Sequence, residues 1–419
     1  MTASRTITAL LATAVTVTAA IAAVLLPAAA GAAYSDPLTS TTPQSLVWHA
    51  TPAAALNALD AALPNVSANT VVHDTDYAMT GCTSGEKSAL PIAPAATTSL
   101  CWDADRADSA EWTPQSITTS GDADDDGKWG ADKILLSGWH GTNTLGRNDD
   151  ARVMFINYNT PSAASFRMVY LAVPNSTGST FTAAKAHMGG MVWYGDKLYV
   201  TAVGNTSTAI RVFSTTHLLQ LSSSASAIGK TSDGYAAYGY KYAMMQVGYY
   251  SYAGGACDMN SDQGVPCFSS MSLDRSTAPD SIVTTEYFSD QTLHGRLYRY
   301  NAGTDYLLAN SGGSVTASQA YRSSVGNMQG VLSQNGRWYV AHSSATTNGQ
   351  LWAQTTSASA SAQCNGTSTA CWAKHPEALS LDVSTQLVWS VTEWSTSQCS
   401  DAGQTCGRGL FAVPLSALP

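Results

Sequence analysis

The sequence predicts an all-β fold, a β-propeller of five or six blades, on three observations. A three-strand unit recurs five times along the chain. No helical stretch separates its copies, as in radial repeats of antiparallel sheets. The strands themselves are short β-branched or aromatic runs cut by Gly, Asn, Asp and Ser.

The copies open with TPQSITT at Thr113, HMGGMVW at His187, CFSSMSL at Cys267, NMQGVLS at Asn327 and HPEALSL at His375. Their second strands are KILLSGW, KLYVTAV, SIVTTEY, RWYVAHS and QLVWSVT; their third strands are ARVMFIN, AIRVFST, GRLYRYN, GQLWAQT and GLFAVPL. Gly195-Asp196, Asn335-Gly336 and Asn348-Gly349 are tight-turn dipeptides. Each copy carries a small residue at one position: Ser116, Gly190, Ser270, Gly330 and Ala378. Their spacing is irregular, which a propeller accommodates with long loops; a β-sandwich or β-helix stays open as an alternative. Tyr240–Tyr252 is also strand-like and offers a second choice for the inner strand of the third unit, so the blade phase is open by one strand.

The regions follow in order. Residues 1–33 carry Arg5, a long apolar run and the small residues Gly31, Ala32 and Ala33, the plan of a secretory signal peptide. Residues 34–110 lie outside the repeat, as an N-terminal extension or partial blade that closes the ring. Within them TPAAALNALDAAL reads as a helix capped by Thr51, and VVHDTDYAM and TSLCWDAD read as strands. Residues 111–419 form the propeller. No later segment is long and apolar enough to span a membrane.

The 419-residue chain has a net charge of −9, which argues against nucleic acid and anionic lipid as partners. It has eight cysteines, an even number in an exported context. Their spacing predicts four local pairs: Cys82–Cys101, Cys257–Cys267, Cys364–Cys371 and Cys399–Cys406. The expectation is a secreted, extracellular monomer.

HMGGMVWYGDKLYV, NMQGVLSQNGRWYV and HPEALSLDVSTQLVWSVTE resemble blades of gluconolactonase, NHL and YWTD propellers. The chain is also similar to uncharacterised secreted bacterial propellers. The likeness spans residues 112–419 loosely and implies architecture rather than an activity.

The stretch GDADDDGK resembles the calcium loop of integrin-type FG-GAP propeller repeats. Calcium takes six to eight hard oxygens, and the resemblance implies Asp122, Asp124 and Asp126 as ligands, with Asp132 closing the site and calcium in a structural role. The pattern departs at its end: Gly130 stands where the family places Asp, and Lys133 where an EF-hand places Glu. A solvated acidic turn is the alternative.

In a propeller, equivalent positions of the inner strands converge on the central channel. Three residues before each small anchor stand Thr113, His187, Cys267, Asn327 and His375; one before it stand Gln115, Gly189, Ser269, Gln329 and Glu377. His187, His375, Glu377, Gln115, Gln329 and Asn327 are therefore the candidate ligand-binding set. His140, Glu286, His342 and Glu393 end the second strands as rim groups. A His–Glu pair could serve acid–base chemistry, and His187, His375 and Glu377 could hold a divalent metal. No GxSxG, HExxH or P-loop occurs. Three readings follow: a module that binds carbohydrate or a surface polymer, a protein-interaction propeller, and a propeller lactonase, lyase or glycoside hydrolase.

Overall fold

A computed structural model describes residues 34–202, 204, 206–290 and 292–419; the expected signal segment lies outside them. The described chain is a β-propeller. Its blades are antiparallel meanders, each running outward from one innermost strand. The first comprises Trp112–Thr119, Ile134–Gly141, Ala151–Asn157 and Ser165–Pro174. The second comprises Met191–Tyr194, Lys197–Thr201, Thr208–Gln220 and Tyr242–Tyr252. The third comprises Phe268–Asp274, Ser281–Glu286, Arg296–Asn301 and Gln319–Arg322. Met328–Gln334, Arg337–His342, Gln350–Gln354 and Ser359–Ser361 make the fourth. Pro376–Asp382, Leu387–Thr392 and Gly409–Pro414 begin the fifth. The innermost strands adjoin in this cyclic order, and the fifth returns to the first.

The small anchors have a steric cause. A Cβ on Gly190 would stand 2.3 Å from the Met271 backbone nitrogen, and one on Gly330 would stand 2.7 Å from the Glu377 carbonyl oxygen. At these two positions neighbouring inner strands approach too closely for a side chain. Larger residues fill the wedges between blades: Trp139, Trp193, Trp338 and Trp389 are at most 2% exposed.

The N-terminal extension is distributed over the ring. Thr98–Cys101 supplies the outermost strand of the fifth blade, pairing with Gly409–Pro414. Thr39–Ser40 extends the third blade and Ser45–Ala50 the second. Tyr242–Tyr252 is an outer strand, so the alternative placement of it as an inner strand is corrected. Its first half also runs parallel to Ser165–Pro174 and joins the first two blades at their rims.

Two local expectations change. The helix Ala53–Ala62 starts one residue later than expected, with Pro52 at the N-cap and no side-chain cap; the Thr51 hydroxyl donates to the Gln246 carbonyl. Val71 and Val72, expected in a strand, lie buried in the helix Ala68–His73, capped by Ser67. The four cysteine pairs form as spaced. No helix among the described residues is long and apolar enough to cross a membrane.

Candidate functional site

The channel mouth is built by β-bulges. In the first blade Pro114 pairs with Trp139 and Ser116 with Gly138, leaving Gln115 unpaired. Ser269 is skipped in the same way between Phe268 and Ser270, and Gln329 between Met328 and Gly330. In the fifth blade the ladder jumps from Pro376 to Leu379 past Glu377. A bulge inserts one residue and re-aims its side chain. The repeat thus places an equivalent polar residue of several blades at one end of the channel.

Three of these residues, Gln115, Ser269 and Gln329, line a cavity of about 610 Å³. Gln115, Ser269, Gln329, His187 and Gly189 come from the inner strands and the segments that lead into them; His140, Tyr287 and Glu393 come from the ends of second strands or just beyond. Asn148, Asp149, Phe268 and Met259 complete one side. Gln115 Nε2 donates to Glu393 Oε1 at 2.9 Å, fixing both side chains.

Three of the six candidate binding residues, His187, Gln115 and Gln329, line this cavity. The other three do not. His375 stacks on Trp394 with ring centroids 3.7 Å apart and planes at 5°, and its Nε2 meets Gln404 Oε1 at 3.2 Å. Burial lowers its pKa, against the Gln404 hydrogen bond. Asn327 sits at φ 45° with its Oδ1 buried and unpartnered. Glu377 is 1% exposed and both carboxylate oxygens lack a partner. Burial, with Glu393 nearby adding repulsion, drives the Glu377 pKa well above the carboxylate range. The metal set His187, His375 and Glu377 is therefore not brought together.

The rim groups divide likewise. Glu286 forms a two-pronged pair with Arg296, at 2.6 and 2.7 Å, and both side chains are buried. His342 Nδ1 meets the Gly326 carbonyl at 2.7 Å. His140 and Glu393 face the cavity.

Sequence reasoning missed Asp149. It lies between repeat strands, in the loop after the second strand of the first blade, at φ 59°. Its Oδ1 stands 3.6 Å from His140 Nδ1 and 3.8 Å from His187 Nδ1. Burial would raise this carboxyl, but contacts and charge from both imidazoles outweigh it and hold the pKa far below the usual range. The adjacent acidic pair Asp149-Asp150 was the only signal, and nothing local shows which of the two turns toward the channel.

The acidic loop spends its carboxylates separately. Asp122 is buried and accepts from the Thr118 hydroxyl at 2.6 Å and the Ser380 hydroxyl at 2.7 Å. Asp124 and Asp126 accept from backbone amides of the turn. Asp132 accepts from Asn69 and Asn159 and meets His73. Among the described residues, the one group of three or more His, Cys, Asp or Glu side chains with ligand atoms gathered closely is His140, Asp149 and His187.

No family model matches the chain, and no curated protein matches it. Among solved structures, a GH43_1 enzyme from Xanthomonas citri is similar at 10% identity and a TM-score of 0.32, over 86% of this chain and 93% of that one. The β-propeller domain of the Trilobed protease from Pyrococcus furiosus is similar at 9% identity and a TM-score of 0.26, over 73% and 96% of the two chains. Similarities this low carry nothing about activity.

Proposed function

We propose that the protein is an exported, monomeric β-propeller that binds a neutral carbohydrate at its channel mouth. The observation behind this reading is the convergence of bulged Gln115, Ser269 and Gln329 with Glu393 and Tyr287 around one cavity. Its volume of about 610 Å³ lies within the ~300–1,000 Å³ of small-ligand sites. A sugar hydroxyl both donates and accepts, and primary amides beside a carboxylate meet both needs. Phe268 and Tyr287 offer apolar surface for the C–H face of a sugar ring. Four cysteine pairs fit an oxidising, extracellular setting.

The test is calorimetric titration with neutral trisaccharides, such as cellotriose, mannotriose and chitotriose. At least one should bind. Gln329→Ala should weaken it about tenfold, the value of one to two lost hydrogen bonds. A wild-type protein that binds none of a broad neutral glycan panel would remove the reading.

One observation favours a second reading, a glycoside hydrolase. Glu393 lines the cavity and is held by Gln115 Nε2 at 2.9 Å, which presents a fixed carboxylate to a bound saccharide for acid–base work. Release of reducing ends from a bound oligosaccharide, lost in Glu393→Gln, would select it over simple binding.

A further inference from the structure

We propose that His140, Asp149 and His187 form a binding site for one divalent first-row transition ion, of the zinc class, at the rim of the channel-mouth cavity. No motif marks this site. Its ligands come from the end of a second strand, a loop and the segment leading into the next blade.

The geometry argues against a plain hydrogen-bonded cluster. Asp149 Oδ1 faces both Nδ1 atoms, at 3.6 and 3.8 Å, beyond hydrogen-bond length. With metal–ligand bonds of ~2.0–2.1 Å, a tetrahedral site has ligand–ligand edges of about 3.3 Å. Two of the three edges, at 3.6 and 3.8 Å, exceed that by a few tenths of an ångström, and all three ligand atoms lie within 4.8 Å of one another. His140 Nδ1 also lies 3.1 Å from the Gly141 carbonyl oxygen, and the imidazole exchanges that contact for the ion.

The site is pre-organised. Asn148 Nδ2 donates to Asp149 Oδ2 at 2.7 Å, which leaves Oδ1 as the free oxygen. Such outer contacts orient ligating carboxylates. The Asp149 amide donates to the Gly141 carbonyl, and the Asp149 carbonyl accepts from the Ala186 amide, both at 2.8 Å. Those two bonds tie the loop to the residues next to His140 and His187. The left-handed φ of 59° at Asp149 is uncommon for a non-glycine residue; the backbone bonds hold it.

The donor set selects the ion. Two imidazoles and one carboxylate suit zinc, cobalt, nickel, copper or iron; calcium and magnesium prefer all-oxygen sites. Three protein ligands leave at least one coordination position, and all three side chains line the cavity. The open position therefore takes water or a ligand oxygen. The site does not depend on the carbohydrate reading, because metal uptake is measured without any saccharide.

The experiment uses the mature protein stripped with a chelator. Zn²⁺ affinity is read by competition with a chromophoric chelator, and Co²⁺ is followed by its visible spectrum. Wild type should take up one ion per chain. His187→Ala, whose side chain is half exposed, should lose at least tenfold in affinity while keeping its circular dichroism. Asn148→Ala should weaken binding about tenfold, as loss of an outer contact does. Electron paramagnetic resonance of the Cu²⁺ form should show two imidazole nitrogens, a readout that needs no variant. Equal affinity in wild type and His187→Ala, a Cu²⁺ spectrum without two imidazoles, or no uptake of Zn²⁺ at all would each overturn the proposal.

Discussion

Asp122 gives a sharp perturbation, because a calcium loop and a buried carboxyl demand opposite outcomes from it. The side chain is 2% exposed. Burial pushes its pKa from 3.8 to about 6, opposed by the Thr118 and Ser380 hydroxyls and by Arg275. A folded pKa above the unfolded one means that the folded state holds the proton more tightly. The stability this provides is complete below pH 3.8, falls between about pH 4 and 6, and is gone above. At ~1.4 kcal/mol per pH unit, the charged carboxylate costs the fold up to about 3 kcal/mol at pH 7. Asp122→Asn keeps the shape and can accept from both hydroxyls without the charge. It should raise the stability at pH 7.5 by about 1–3 kcal/mol and leave it nearly unchanged at pH 3.5. The assay is urea denaturation of wild type and variant across pH 3.5–7.5, with and without a chelator. The difference between the two proteins is the readout, since other carboxyls titrate in the same range. A variant less stable than wild type at pH 7.5, together with loss of bound calcium, would refute the reasoning and restore the calcium loop.

Two further outcomes follow from buried charge. Glu377, unpartnered and with its pKa raised by burial and by Glu393, stabilises the fold below the unfolded pKa and loses that contribution as pH rises through the folded one. Glu377→Gln should thus be at least as stable as wild type, with the gain growing toward alkaline pH in denaturant titrations. Arg296→Met should cost about 3–5 kcal/mol, because it leaves Glu286 buried without its partner; adding Glu286→Leu should recover most of that in the same titration.

Much of the architecture was legible in the strand pattern. The small anchors could be found because neighbouring inner strands approach closely there, and the repeat keeps a small residue, Gly, Ser or Ala, at each copy. The bulged positions Gln115, Ser269 and Gln329 were legible for the same reason, one residue before each anchor. Glu377 occupies the equivalent place and, like Gln115, is almost fully buried, but it does not line the cavity. His375 was misplaced because Trp394, just past the end of the adjacent second strand, captures its ring; no local pattern encodes that stacking. Glu286 ends its strand like Glu393, but Arg296 lies on the adjacent strand and neutralises it. Asp149 sits in a loop whose backbone bonds to Gly141 and Ala186 decide its direction. The fold of such a loop depends on partners distant in sequence, so its place at the site emerges only in three dimensions. In the acidic loop, spacing and geometry differ. Its spacing suggests converging ligands, whereas the short helix Ser120–Ala123 turns Asp122 inward to Ser380.

The central claim is that the channel-mouth cavity is where this protein meets its ligand. The most direct measurement is the affinity of wild type, Gln115→Ala and Gln329→Ala for one neutral trisaccharide, titrated in the same buffer. The account predicts that wild type binds, that each variant stays folded, and that each binds about tenfold more weakly. Binding that survives both substitutions unchanged would place the ligand elsewhere and contradict it.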